Sequence, residues 1–83
     1  MTDEDISNLI REATGISEVI VKSEGSHYQV IAIDDQFETM SRVKRQQTIS
    51  APLSEKIADG TIHALSIKTF SHAQWQKEKV FNQ

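Results

Sequence analysis

Two short β-branched runs separated by three residues constrain this chain more than any other feature. "EVIVKS" (18–23) and "HYQVIAID" (27–34) read as strands. The "EGS" between them is short enough to make them an antiparallel hairpin. A third run, "TIHALSIKTF" (61–70), reads as another strand. What joins the second run to the third is helical in pattern. A helical connection of that length makes two neighbouring strands parallel, with a right-handed crossover. The sheet is therefore expected to be of mixed sense.

The helices are marked by their ends. Thr2 is placed to cap a first helix whose opening turn holds Asp3, Glu4 and Asp5, where the helix dipole favours negative charge. Ile6, Leu9, Ile10 and Ala13 follow at helical spacing. Met1 and Ile6 stand at the positions of a hydrophobic staple, and Gly15 suits a left-handed C′. "DDQFE" breaks the strand pattern that precedes it. Ser41 caps a helix through "RVKRQQTIS"; Ser50 and Pro52 then read as the cap and first turn of another. Ile49, Leu53 and Ile57 recur every four residues, so one apolar seam is expected across a kink, ending at Asp59 and Gly60. Ser71 caps the last helix, with Gln74 at the capping-box position and Phe70 and Trp75 spaced as a staple. Its polar tail, "QKEKVFNQ", is expected to fray.

The order α-β-β-α-α-β-α, without repeat or linker, gives an α+β fold within one domain, 1–83. It is a three-stranded mixed sheet with helices packed on one face. This is the arrangement of a type II KH-like fold.

The chain has no cysteine, which excludes disulfides and thiolate metal sites of its own. No segment reads as a signal peptide or membrane span, so the cytoplasm is the expected location. Net charge is −3, which argues against strong nonspecific binding of nucleic acid by the whole surface. The charge is uneven, however. Residues 1–40 hold nine acids against Arg11 and Lys22, a net −7; residues 41–83 hold seven bases against Glu55, Asp59 and Glu78, a net +4.

The residue types with chemical potential are few. His27 and His63 begin the second and third strands; if these are parallel neighbours, both lie at one end of the sheet. Neutral imidazole suits iron and zinc. The commoner role of a strand histidine is a packed or half-exposed side chain with a satisfied hydrogen bond, and both readings stand on the residues alone. His72 reads as a surface residue. Arg42, Lys44 and Arg45 form a basic helix segment suited to solvent, to phosphates, or to an acidic partner. The three glycines, Gly15, Gly25 and Gly60, form no GXXG loop of the kind KH domains use to approach a nucleic-acid backbone. Asp34 and Asp35 are adjacent and read as a turn rather than a catalytic pair. No phosphate-binding loop, nucleophile elbow or zinc motif is present, so the chain does not read as an enzyme.

"GSHYQVIAID", "MSRVKRQQTISAPLSEKI" and "IHALSIKTFSHAQWQ" together resemble the BolA-like proteins, in particular their short bacterial IbaG branch. The resemblance extends from about Ile6 to Trp75. It implies a KH-like domain without enzymatic activity that pairs with a monothiol glutaredoxin in iron–sulfur cluster assembly or delivery, with a role in stress response and iron homeostasis. The histidine of the family's "HAL" stretch, His63 here, is implied as a cluster ligand. A second ligand is implied from the turn between the first two strands, where this chain offers His27. The [2Fe–2S] cluster is expected to be shared with glutaredoxin and glutathione, and the isolated chain, a monomer or weak homodimer, is expected to hold none. The alternative is a KH-like nucleic-acid-binding transcriptional regulator using Arg42, Lys44 and Arg45. Many BolA proteins carry "RHR" in the basic helix, whereas this chain has "KRQQ" with Gln46 at that place, which favours the IbaG-like branch.

Overall fold

The computed structural model describes residues 2–81. Its elements, in chain order, are α1 (Asp3–Thr14), β1 (Glu18–Glu24), β2 (His27–Ile33), a 3₁₀ turn (Asp35–Thr39), α2 (Arg42–Ser50), a second 3₁₀ turn (Ala51–Leu53), α3 (Ser54–Ala58), β3 (Ala64–Phe70) and α4 (His72–Phe81). The sheet order is β1-β2-β3, with β1 antiparallel and β3 parallel to β2. The expected α+β fold with a mixed three-stranded sheet is the one observed.

The hairpin closes through two residues, with Glu24 paired to His27. Gly25 has φ 64 and, among the described residues, none other than glycine has positive φ, so only the first corner position is left-handed. That is the type II′ pattern, whose twist matches the flanking strands. The parallel pair is in register from His27 and Ala64 to Ile33 and Phe70. β3 therefore starts at Ala64, three residues later than the sequence pattern suggests, because Ile62 leaves the sheet direction to bury itself in the core.

One face of the sheet makes the core. Val19, Tyr28, Val30 and Ala32 alternate inward and join Ile6 and Ile10 of α1, Ile49 of α2 and Leu53. Each fully buried aliphatic side chain contributes roughly 1.5–3 kcal/mol by leaving water. Phe37, on the first 3₁₀ turn, is also wholly buried. The "DDQFE" stretch that breaks the strand pattern thus returns a plug to the core.

The caps are largely as expected. The Asp5 amide donates to Thr2 Oγ1 at 3.1 Å, and the Thr2 amide donates to Asp5 Oδ2 at 3.0 Å. The bond from the Thr2 backbone, with its hydroxyl second, holds the Asp5 carboxyl below its usual range. Gly15 ends α1 at φ 76, its amide donating to Arg11 O. The Met1 staple position lies outside the described residues. Ser41 caps α2 through the Lys44 amide. At the other end, the Ser71 and Gln74 side chains each accept the other's backbone amide, and the Phe70 and Trp75 rings lie 5.4 Å apart. α4 runs on to Phe81 despite its polar tail.

Two expectations are corrected. Ser50 makes no capping bond; it is the last residue of α2, and the chain continues from it into the 3₁₀ turn holding Pro52 without leaving helical backbone angles. The apolar seam stops at Leu53: Ile57 is 42% exposed, because the 3₁₀ turn rotates α3 out of phase with α2.

α4 closes the Phe70 end of the sheet through His72, which is more than a bystander on the surface. Its backbone amide donates to Asp35 Oδ1 at 3.0 Å, its Nδ1 lies 3.1 Å from the same oxygen, and its Nε2 lies 3.2 Å from Glu18 Oε1. A neutral imidazole has one N–H and leaves one of these carboxylates facing a lone pair, whereas the imidazolium donates to both. Asp35 first, then Glu18, accordingly raises the His72 pKa above its ordinary value, while the His72 backbone amide lowers that of Asp35. The His72 contribution is complete below its unfolded pKa of about 6.5 and fades as pH rises through the higher folded value. The Asp35 contribution holds above about 3.9 and fades as pH falls through its lower folded value. Solvent screens all three groups, so the effect is a modest one. An NMR titration is expected to give the His72 ring a midpoint above 6.5, falling in Asp35→Asn; the thermal-stability gap between the native chain and His72→Ala is expected to be wider at pH 5.5 than at pH 8.5.

Candidate functional site

The parallel register brings His27 and His63 to one rim. His27 is the first residue of β2 and pairs with Ala64; His63 is the residue before that partner. The Ser26 carbonyl, at the corner of the hairpin, accepts the His63 amide at 3.1 Å and the Ala64 amide at 3.4 Å. The segment carrying one histidine is thereby stitched to the turn that precedes the other. His63 itself lies just ahead of the strand it was expected to begin.

Each histidine is exposed and sits next to a buried neighbour: Tyr28 after His27, Ile62 before His63. The core fixes both backbones and leaves both rings to solvent. Since Tyr28 faces the core, alternation turns His27 to the other face of the sheet. There it borders a shallow depression of about 330 Å³ that Lys22, Glu24, Gln29 and Ser66 also line. Among the described residues, no three His, Cys, Asp or Glu side chains converge on a metal-sized site. The rim carries two exposed imidazoles, those of His27 and His63, with the Glu24 carboxylate across the hairpin from His27.

The basic segment lies elsewhere. Arg42 and Lys44 are exposed on α2, and Arg45 is partly buried with its Nε donating to Met40 O at 3.2 Å. Among the described residues, none of these three cations has a carboxylate within 4 Å. Val43, between them, is 65% exposed. The sheet order also sorts the uneven charge, since β1 with Glu18 and Glu24 is one edge and β3, beside the basic α2, is the other. Phe70 and Trp75 face each other as a staple.

A family model described as BolA-like protein matches residues 4–74. The chain belongs to the BolA-like family. It is similar to the acid stress protein IbaG of Escherichia coli K12, with 45% identity over 82 residues, 99% of this chain and 98% of that one. Among solved structures, mouse BolA1 superposes with a TM-score of 0.78 at 25% identity, covering 93% of this chain and 70% of that one. A BolA homologue from Coxiella burnetii gives 0.68 at 28% identity, covering 92% and 97%. This BolA-like chain thus shares fold and near-complete length with its bacterial relatives.

Sequence reasoning found the histidines and the basic helix but missed two features of their surroundings. The link from His72 to Asp35 and Glu18 joins residues 37 and 54 positions apart, and no local pattern signals it. The Gln46 side chain, which donates to Ile67 O at 3.4 Å, ties α2 to β3 and has no sequence signature either. Because both rim histidines are exposed, His27→Ala and His63→Ala are expected to change unfolding free energy by no more than about 0.5 kcal/mol in a denaturant titration.

Proposed function

We propose that this BolA-like chain is a non-enzymatic factor in cytoplasmic iron–sulfur cluster assembly or trafficking, one that pairs with a monothiol glutaredoxin and shares a [2Fe–2S] cluster as cargo. The observation that carries this reading is a rim with two exposed imidazoles, His63 and His27, in a chain without cysteine. Two nitrogen donors satisfy half of a binuclear cluster's terminal positions, and histidine replaces cysteine on one iron in Rieske centres. A glutaredoxin cysteine and the thiolate of bound glutathione are the soft ligands that complete the set. This chain's part is to hold two borderline donors at fixed backbone positions and to refuse the cluster when alone, as a monomer or weak homodimer. The name of the E. coli relative supports an acid-stress setting. Titrating cluster-loaded glutaredoxin with the protein is expected to change the visible absorption and circular dichroism, and His63→Ala to abolish that change, with His27→Ala weakening it. An unaltered spectrum in His63→Ala overturns the ligand assignment.

The cations of α2, without a carboxylate partner among the described residues, favour a second reading, a KH-like regulator that grips nucleic acid through Arg42, Lys44 and Arg45. It ranks below the first because the net charge is negative and no GXXG loop is present. Three phosphate contacts give a slope of about −2.7 for log affinity against log salt on duplex DNA. Binding that is absent at low salt, or unmoved by Lys44→Glu and Arg45→Glu, eliminates this reading.

A further inference from the structure

β3 is an edge strand, and its outward side is chemically distinct from the rest of the surface. Phe70 O accepts the Asp34 amide at 2.9 Å, so the main chain of Phe70 turns toward β2. In a parallel ladder alternate residues turn the same way, which sends Lys68 and Ser66 toward β2 as well. Leu65, Ile67 and Thr69 therefore turn their amides and carbonyls outward. The bond from Gln46 to Ile67 O agrees, and Gln46 is the described side chain that reaches this edge. Beside the edge runs an open groove of about 490 Å³, lined by Met40, Arg42, Arg45, Gln46 and residues 67–70. Its rim is cationic and, among the described residues, without carboxylate partners.

We propose that this groove binds an extended, carboxylate-bearing segment of a partner protein, which adds to β3 as a fourth strand. The edge offers donors and acceptors in alternation, and a peptide backbone supplies both, whereas a phosphodiester backbone supplies acceptors alone and leaves the outward carbonyls of Leu65 and Thr69 unmatched. Acidic side chains on the added strand meet Arg42 and Arg45. Gln46 holds Ile67 O at a long 3.4 Å from an exposed position, so an incoming amide displaces it at little cost. The opposite edge lacks these features: Val19 O on β1 faces the buried Ser7 hydroxyl, and β1 carries Glu18 and Glu24. The inference does not rest on the histidine rim, and it holds whether or not a cluster is bound.

The test uses the full chain and a capped peptide of alternating valine and glutamate. Amide hydrogen exchange followed by NMR is expected to slow about tenfold at Ile67 and Thr69 on saturation, with Ser66 and Lys68 unmoved. Arg42→Glu is expected to weaken the peptide about tenfold, and the same peptide with lysine for glutamate is expected not to bind. Thr69→Pro removes one outward amide and none of the ladder to β2, so it is expected to keep the fold and lose the peptide. If that variant does not fold, a peptide N-methylated at alternate residues makes the same cut from the other side and is expected not to bind. Peptide binding without protection of Ile67 and Thr69, binding unchanged by N-methylation, protection of the same amides by single-stranded DNA, or β3-to-β3 self-association that excludes the peptide each overturns the proposal.

Discussion

The parallel contact between β2 and β3 is the interaction on which the rest of this molecule depends. It is non-local: residues 34–63 lie between the two strands, and closing such a loop costs entropy before any ladder bond returns it. The Ser26 carbonyl fastens the near end of that contact by taking two amides, and Phe70 O fastens the far end through Asp34. Between these points the register fixes what each edge presents. The histidine rim, the outward side of β3 and the closure by α4 are all set by this one alignment. A slip of one residue would turn Val30 and Ala32 out of the core and bring His27 in.

The helical layer is shaped by how it is interrupted. α2 does not stop for Pro52 but tightens into a 3₁₀ turn, keeping Ile49 and Leu53 in the core and rotating Ile57 away. α2 thereby remains beside the edge of β3, with Arg42 and Lys44 facing solvent, while the chain turns back through α3 and Gly60 to deliver Ile62 to the core. The basic segment and the histidine rim are products of the same connection, one at its start and the other at its end.

Much of this arrangement was legible in the sequence, and the part that was not has physical reasons. Caps are local: Thr2, Gly15, Ser41 and the Ser71–Gln74 pair act within a few residues, and the structure uses each as its type suggests. The hairpin length and the helical link to β3 fix strand sense without knowledge of any contact. Ser50 misled because serine before proline looks the same whether a helix begins or narrows there; what distinguishes them is the backbone of the residues on both sides. Phe37 was invisible for a different reason. Its turn has neither the period of a strand nor that of an α-helix, and only the shape of the core explains why it is buried. The placement of His27 and His63 on one rim followed from topology, whereas the bonds of His72 depend on where α4 lands.

Ile62 has a consequence for how the rim meets a visitor. With that side chain anchored one position ahead and the following amide tied to the hairpin corner, the peptide plane bearing His63 is immobilised on both sides. Only two side-chain torsions remain to be chosen when its imidazole is engaged. A molecule that engages this ring therefore meets a host backbone already in place, and the freedom left to fit it lies in the imidazole and in the guest.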